Sequence, residues 1–76
     1  MLYYKPKDVT YTQMAIWVDE NSSNENCDKE KLFEYLYHLC HIFAYKWKYF
    51  NSAKDYDDFS IFSASILFNR IEKKNL

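Results

Sequence analysis

The sequence contains no glycine and a single proline, Pro6. Without glycine there is no phosphate-cradling loop, no dinucleotide fingerprint and no collagen repeat. Tight β-hairpins lose the residues their turns favour. Connections fall to Asn, Asp and Ser, which suits helices joined by short loops. Two cysteines, Cys27 and Cys40, are too few for a disulfide framework. Formal net charge is −1, so no global field draws the chain to a polyanion. No apolar run approaches the ~18 residues of a membrane span. Residues 1–7 lack the apolar core of a secretion signal, so an intracellular chain without a membrane association is expected.

What is present in quantity is ring area. Six Phe, eight Tyr and two Trp make up 21% of the chain. A chain of 76 residues forms one domain and buries only about 60% of its unfolded surface, so large rings must supply much of its core. Tyr, with one polar end, suits half-buried positions and interfaces.

Helix signals divide the chain into three. Thr10-x-x-Gln13 is a capping box, and a short helix is expected from there to about Asp19, with Tyr11, Met14, Ala15 and Val18 on one side. The polar run from Asp19 to Asn26 is a loop. Asp28 caps a long helix expected over roughly Lys29 to Phe50. Its apolar stripe is Leu32, Leu36, Leu39, Phe43, Trp47 and Phe50, beside Phe33, Cys40 and Ala44. That arc is wider than one neighbour can cover. Asn51 to Lys54 is the next connection. Asp55, Asp57 and Asp58 stand where the last apolar pattern begins, and a helix is expected from about Asp57 to Lys73. Carboxylates there oppose the positive end of the helix dipole, so Asp55 and Asp57 are read as capping residues. Phe59, Phe62, Ile66 and, less directly, Leu67 and Ile71 form its expected buried side, with Ile61 and Phe68 away from the centre of that stripe.

The expected fold is therefore all-α, a three-helix domain over residues 1–76, with a short N-terminal helix packed on a long antiparallel helical hairpin. Chemistry is sparse. His38 and His41 lie one turn apart, but Cys40 points elsewhere, and zinc needs three or four ligands. Surface or interfacial histidines and a core cysteine are expected instead. The acid cluster lacks the turn glycine and the late Glu of a calcium loop. No nucleophile, base and orienter stand at workable spacing, so neither catalysis nor a cofactor is expected. Tyr45-Lys46-Trp47-Lys48-Tyr49-Phe50, with Lys54, interleaves cations and rings as single-strand binders do. The helical phase, however, places Trp47 and Phe50 in the core.

Leu36 to Lys74 resembles the core-binding part of region two of bacterial RNA polymerase sigma factors. Ala44-Tyr45-Lys46-Trp47-Lys48-Tyr49-Phe50 stands for the family's Ala followed by basic and aromatic residues. Asp55-Tyr56-Asp57-Asp58-Phe59 stands for its acidic-aromatic-acidic-acidic-leucine start, with Phe59 in place of Leu. Ser63 falls on a Gly or Ala position, and Ile71-Glu72-Lys73 is similar to the end of that helix. Ile61 and Phe62 stand where the family has a Gln-Glu pair that touches the polymerase clamp helices.

The resemblance implies a module that binds the RNA polymerase core in a bacterial cytoplasm. Asp58, Ile61, Phe62, Ser65 and Asn69 would line the contact, although the helical phase also puts Phe62 on the core side. Lys46, Lys48 and Lys54 would lie nearest to DNA. In the family the promoter-reading segment follows directly, whereas this sequence stops at Leu76. Promoter DNA would then be read by residues of a longer protein, or the chain would be a small phage-type protein with a divergent role. The competing expectation is a small helical adaptor or phage structural protein that oligomerises or docks through exposed Tyr and Phe.

Overall fold

The computed structural model describes residues 5–74 and contains three helices in chain order. These are α1 (Tyr11–Asn21), α2 (Lys29–Trp47) and α3 (Ala53–Lys74). The fold is all-α, with no strand among the described residues. α2 packs on both of the others, while the backbones of α1 and α3 stay apart. The shortest dimension is 19 Å, the thickness of two helix layers.

Each helix starts where a side chain satisfies free backbone donors. Gln13 N donates to Thr10 Oγ1 at 3.1 Å and Thr10 N to Gln13 Oε1 at 2.8 Å, a complete capping box. Asp28 accepts from Lys31 N at 3.1 Å and caps α2. The start of α3 differs from expectation. Ser52 is the cap: its hydroxyl accepts from Asp55 N at 3.3 Å and its carbonyl from Tyr56 N at 3.4 Å. α3 therefore begins at Ala53, ahead of the expected Asp57. Asp55 is a first-turn acid, and Asp57 lies a full turn into the helix, where its carboxylate accepts from the Tyr37 hydroxyl. α1 continues to Asn21, past Asp19. α2 stops at Trp47, short of Phe50, because Lys48 turns extended (φ −124°, ψ 154°). Phe50 then turns back on α3, its N–H donating to Tyr56 Oη at 3.3 Å and its ring packing edge-on to Tyr56 and against Phe59.

α2 and α3 run antiparallel. At one end Lys29 Nζ is 3.1 Å from Glu72 Oε1, and the rings of Phe33 and Phe68 meet edge to face at 5.9 Å. At the other, Tyr45 stacks on Tyr56 with centroids 4.7 Å apart. The core between them is Leu32, Leu36, Tyr37 and Ala64, with Trp17, Val18, Cys27, Phe33, Ile61, Phe68 and Ile71 packed against it. α1 is held by fully buried Met14 and by Trp17, whose ring meets Tyr35 at 5.2 Å under the ammonium of Lys31.

Two expected stripes are corrected. The inner face of α3 is centred on Ser60 and Ala64, both fully buried, and not on Phe62 and Ile66, which are exposed. Small residues let the backbones approach, and the Ser60 hydroxyl is satisfied by donating to Tyr56 O at 2.7 Å. Ile61 and Phe68, expected off-centre, pack on the core. On α2, Phe43 and Trp47 are 48% and 72% exposed, whereas Tyr35, Tyr37, His38 and His41 are buried. α1 spans 11 residues, about 16 Å, and cannot cover the roughly 28 Å of α2. The far half of the α2 stripe is left bare.

Candidate docking face and the polar cluster behind it

Asp58, Phe62, Ser65 and Asn69 recur at intervals of four, three and four along α3 and so form one stripe. The stripe faces outward. Asp58, Phe62 and Asn69 are exposed, Ser65 is half-buried, and Phe62 shows 67% of its surface. Ile61 does not belong to it. One residue step turns a helix by about 100°, and that step carries Ile61 onto the core. Ile61 is therefore a half-buried packing residue beside the stripe.

Lys46, Lys48 and Lys54 are exposed around the turn from α2 to α3. Trp47 stands out beside them, against the expectation of a core ring, and Tyr49 is exposed as well. Phe50 is half-buried. Lys48 Nζ sits 6.0 Å above the ring of Phe59.

Behind the stripe lies a buried polar cluster that sequence reasoning missed. The Tyr37 hydroxyl donates to Asp57 Oδ1 at 2.5 Å. His41 Nε2 stands 3.4 Å from the same oxygen. The His41 ring also lies against Tyr37, Tyr45 and Tyr56. Neither histidine is on the surface, contrary to expectation: His38 and His41 are 1% and 5% exposed. Among the described residues His38 Nε2 has no hydrogen-bond partner. The one signal that could have located the cluster is the spacing of Tyr37, His41 and Ala44 on a face of α2, with Asp57 and Ser60 on the facing helix.

Burial and partners set the titration of these groups. The Tyr37 hydrogen bond holds the Asp57 carboxyl below the usual carboxylate range, with burial opposing. Burial pulls His41 below the ordinary imidazole range, although Asp57 works the other way. Burial does the same to His38, helped by His41 and Lys5. Burial pushes the Cys40 thiol up, so its reactive thiolate is disfavoured. Cys27 is half-buried and packs against the core. Among the described residues no three or more His, Cys, Asp or Glu side chains come together as metal ligands. The polar cluster pins the hairpin together from inside.

A pH dependence follows. Both histidines titrate lower folded than unfolded, so the unfolded chain binds protons first as pH falls. Stability is complete above about pH 7 and declines below about 6.5, by up to ~1.4 kcal/mol per pH unit for each histidine. Asp57 acts later: its contribution is present above the ordinary carboxylate pKa and is lost only as pH falls through its depressed folded value. Urea denaturation at about pH 7.5 and 5.5 is expected to show a lower midpoint at the acid value. An unchanged midpoint would contradict the burial of the two imidazoles.

Beside the outward stripe an apolar groove runs between α1 and α3, with Leu36 and Leu39 on α2 as its floor and Val18 and Ile71 on its walls. It encloses about 500 Å³, and Asp19, Arg70 and Lys74 stand at its rim. A second hollow of about 340 Å³ shares Leu39 and Leu67 with it and continues to Cys40, Phe43 and Phe59.

Compared with known proteins, the chain matches no family model, no curated protein and no solved structure.

Proposed function

We propose that this chain is a non-enzymatic docking module that binds the core of RNA polymerase through the outward stripe of α3. One observation carries the reading. Of the five positions that the sigma-factor resemblance assigns to the contact, Asp58, Phe62, Ser65 and Asn69 share one outward stripe with a large exposed ring in it. Phe62 is the anchor. Burying an exposed ring at the centre of a contact is worth about 2 kcal/mol or more, while polar neighbours such as Asp58 and Asn69 set orientation. The Tyr37–Asp57–His41 pin behind the stripe keeps α3 rigid, so little order has to be gained on binding.

Lys46, Lys48 and Lys54, with exposed Tyr49, would be the part of the bound module nearest to DNA, where cations meet phosphates and rings stack on bases. Such a module works in the cytoplasm of a bacterial host cell, where the polymerase is.

The test is retention of purified bacterial RNA polymerase core on the immobilised chain. Wild type is expected to hold the core enzyme, and Phe62→Asp to release it while remaining helical by circular dichroism. If wild type retains no core enzyme, polymerase is not the partner and the self-assembling adaptor becomes the better description.

A further inference from the structure

Half of the apolar stripe of α2 is covered and half is not. Leu32 and Leu36 lie under Trp17 and Val18, whereas Phe43 and Trp47 stand in solvent beyond the reach of α1. On α3 the adjoining Leu67, which lines the same hollow as Phe43, is 39% exposed. At about 200 Å² per large side chain, these three expose roughly 300 Å². A patch of that size is on the scale of the largest that monomers expose, and such patches often mark interaction sites.

We propose that a second copy of this chain covers the strip, in a two-fold dimer whose axis crosses it at Leu39 and Leu67. The shape favours a copy of itself. One end is concave, the 500 Å³ groove walled by Val18 and Ile71. At the other end Trp47 projects, 72% exposed, past the second hollow that Phe43 lines. Leu39 and Leu67 belong to both hollows and mark the midpoint. A two-fold rotation there lays the projecting Trp47 ring of each copy into the groove of the other, the reciprocal fit that a two-fold interface requires. The area also suits a dimer. A stable interface takes about 800 Å² from each partner, about 60% of it apolar, and the three side chains with half-buried Leu39, Phe59 and Ile71 approach that share. A net charge of −1 brings little repulsion between copies. The outward stripe of α3 lies to one side of the strip, so polymerase binding can fail without touching this proposal.

Sedimentation velocity on the purified chain, from micromolar to near-millimolar, tests it. A species of twice the 9.3 kDa chain mass is expected, with Leu67→Asp at the single-chain mass. A loss of about 2–3 kcal/mol from a charge buried at the axis weakens self-association by roughly 30- to 150-fold. As a variant that keeps the packing, Leu67→Cys is expected to cross-link to its own copy under mild oxidation, above the level of wild type. A wild-type chain of single mass throughout the range overturns the proposal. So does a dimer that persists in Leu67→Asp and leaves Leu67→Cys uncross-linked, because a different face would then be buried.

Discussion

Asp57→Ala is expected to lower the stability of this chain by about 2–4 kcal/mol, the largest loss for any single acidic residue in it. The cause is the side chain behind it. Tyr37 is fully buried, and its hydroxyl donates to the Asp57 carboxylate. A hydrogen bond to a charged acceptor contributes about 1.5–3 kcal/mol, and removing the acceptor also charges the desolvation of the donor to the folded state. His41 loses the attraction of the same carboxylate. Set against a total of about 4–11 kcal/mol for 76 residues, that is a drop of roughly 12–25 °C in Tm. If Asp57 were a surface helix cap, the loss would be nearer 1 kcal/mol. Asp57→Asn, which keeps an acceptor oxygen, is expected to recover part of the loss. The His41 titration in Asp57→Ala should also move further down, because the carboxylate no longer favours imidazolium. A Tm within a few degrees of wild type would show that the pin carries no load.

The three helices were legible because their signals are local. Thr10 with Gln13, and Asp28, are caps that need only a few neighbouring residues to work. The antiparallel hairpin followed from two apolar helices joined by a short polar connection. The phase of α3 was not legible. Periodicity weighs large side chains, so Phe59, Phe62 and Ile66 drew the expected inner face towards themselves. The contact is made instead by Ser60 and Ala64, whose value is that they are small enough to admit Tyr37 and Leu36 from α2. The start of α3 was hidden in the same way. Three consecutive-looking acids suggested a boundary at Asp57, while the working cap is the unobtrusive Ser52. Burial of His38 and His41 depends on what α2 meets in space, which no spacing within one helix reveals. Exposure of Phe43 and Trp47 depends on the length of α1 relative to α2, a comparison between elements and not a property of either. Of the expected contact residues, the error in phase mattered for two neighbours: Ile61 went inward and Phe62 came outward.

Those neighbours are expected to behave in opposite ways. Ile61→Ala removes a half-buried side chain packed against the core, and should cost about 1–3 kcal/mol of folding stability. Once folded, that variant presents an unchanged outward stripe and should bind polymerase core as wild type does. Phe62→Ala removes a ring that is two-thirds exposed, so its stability should stay within about 0.5 kcal/mol of wild type. Its affinity for core should fall by about 30-fold or more, the loss of an anchor worth about 2 kcal/mol. The decisive measurement is the dissociation constant for purified RNA polymerase core, determined for wild type, Ile61→Ala and Phe62→Ala under conditions where all three are folded. Weakened binding by Phe62→Ala alone is the predicted result. Equal binding by Phe62→Ala and wild type, or a loss confined to Ile61→Ala, would contradict a docking face on the outward side of α3.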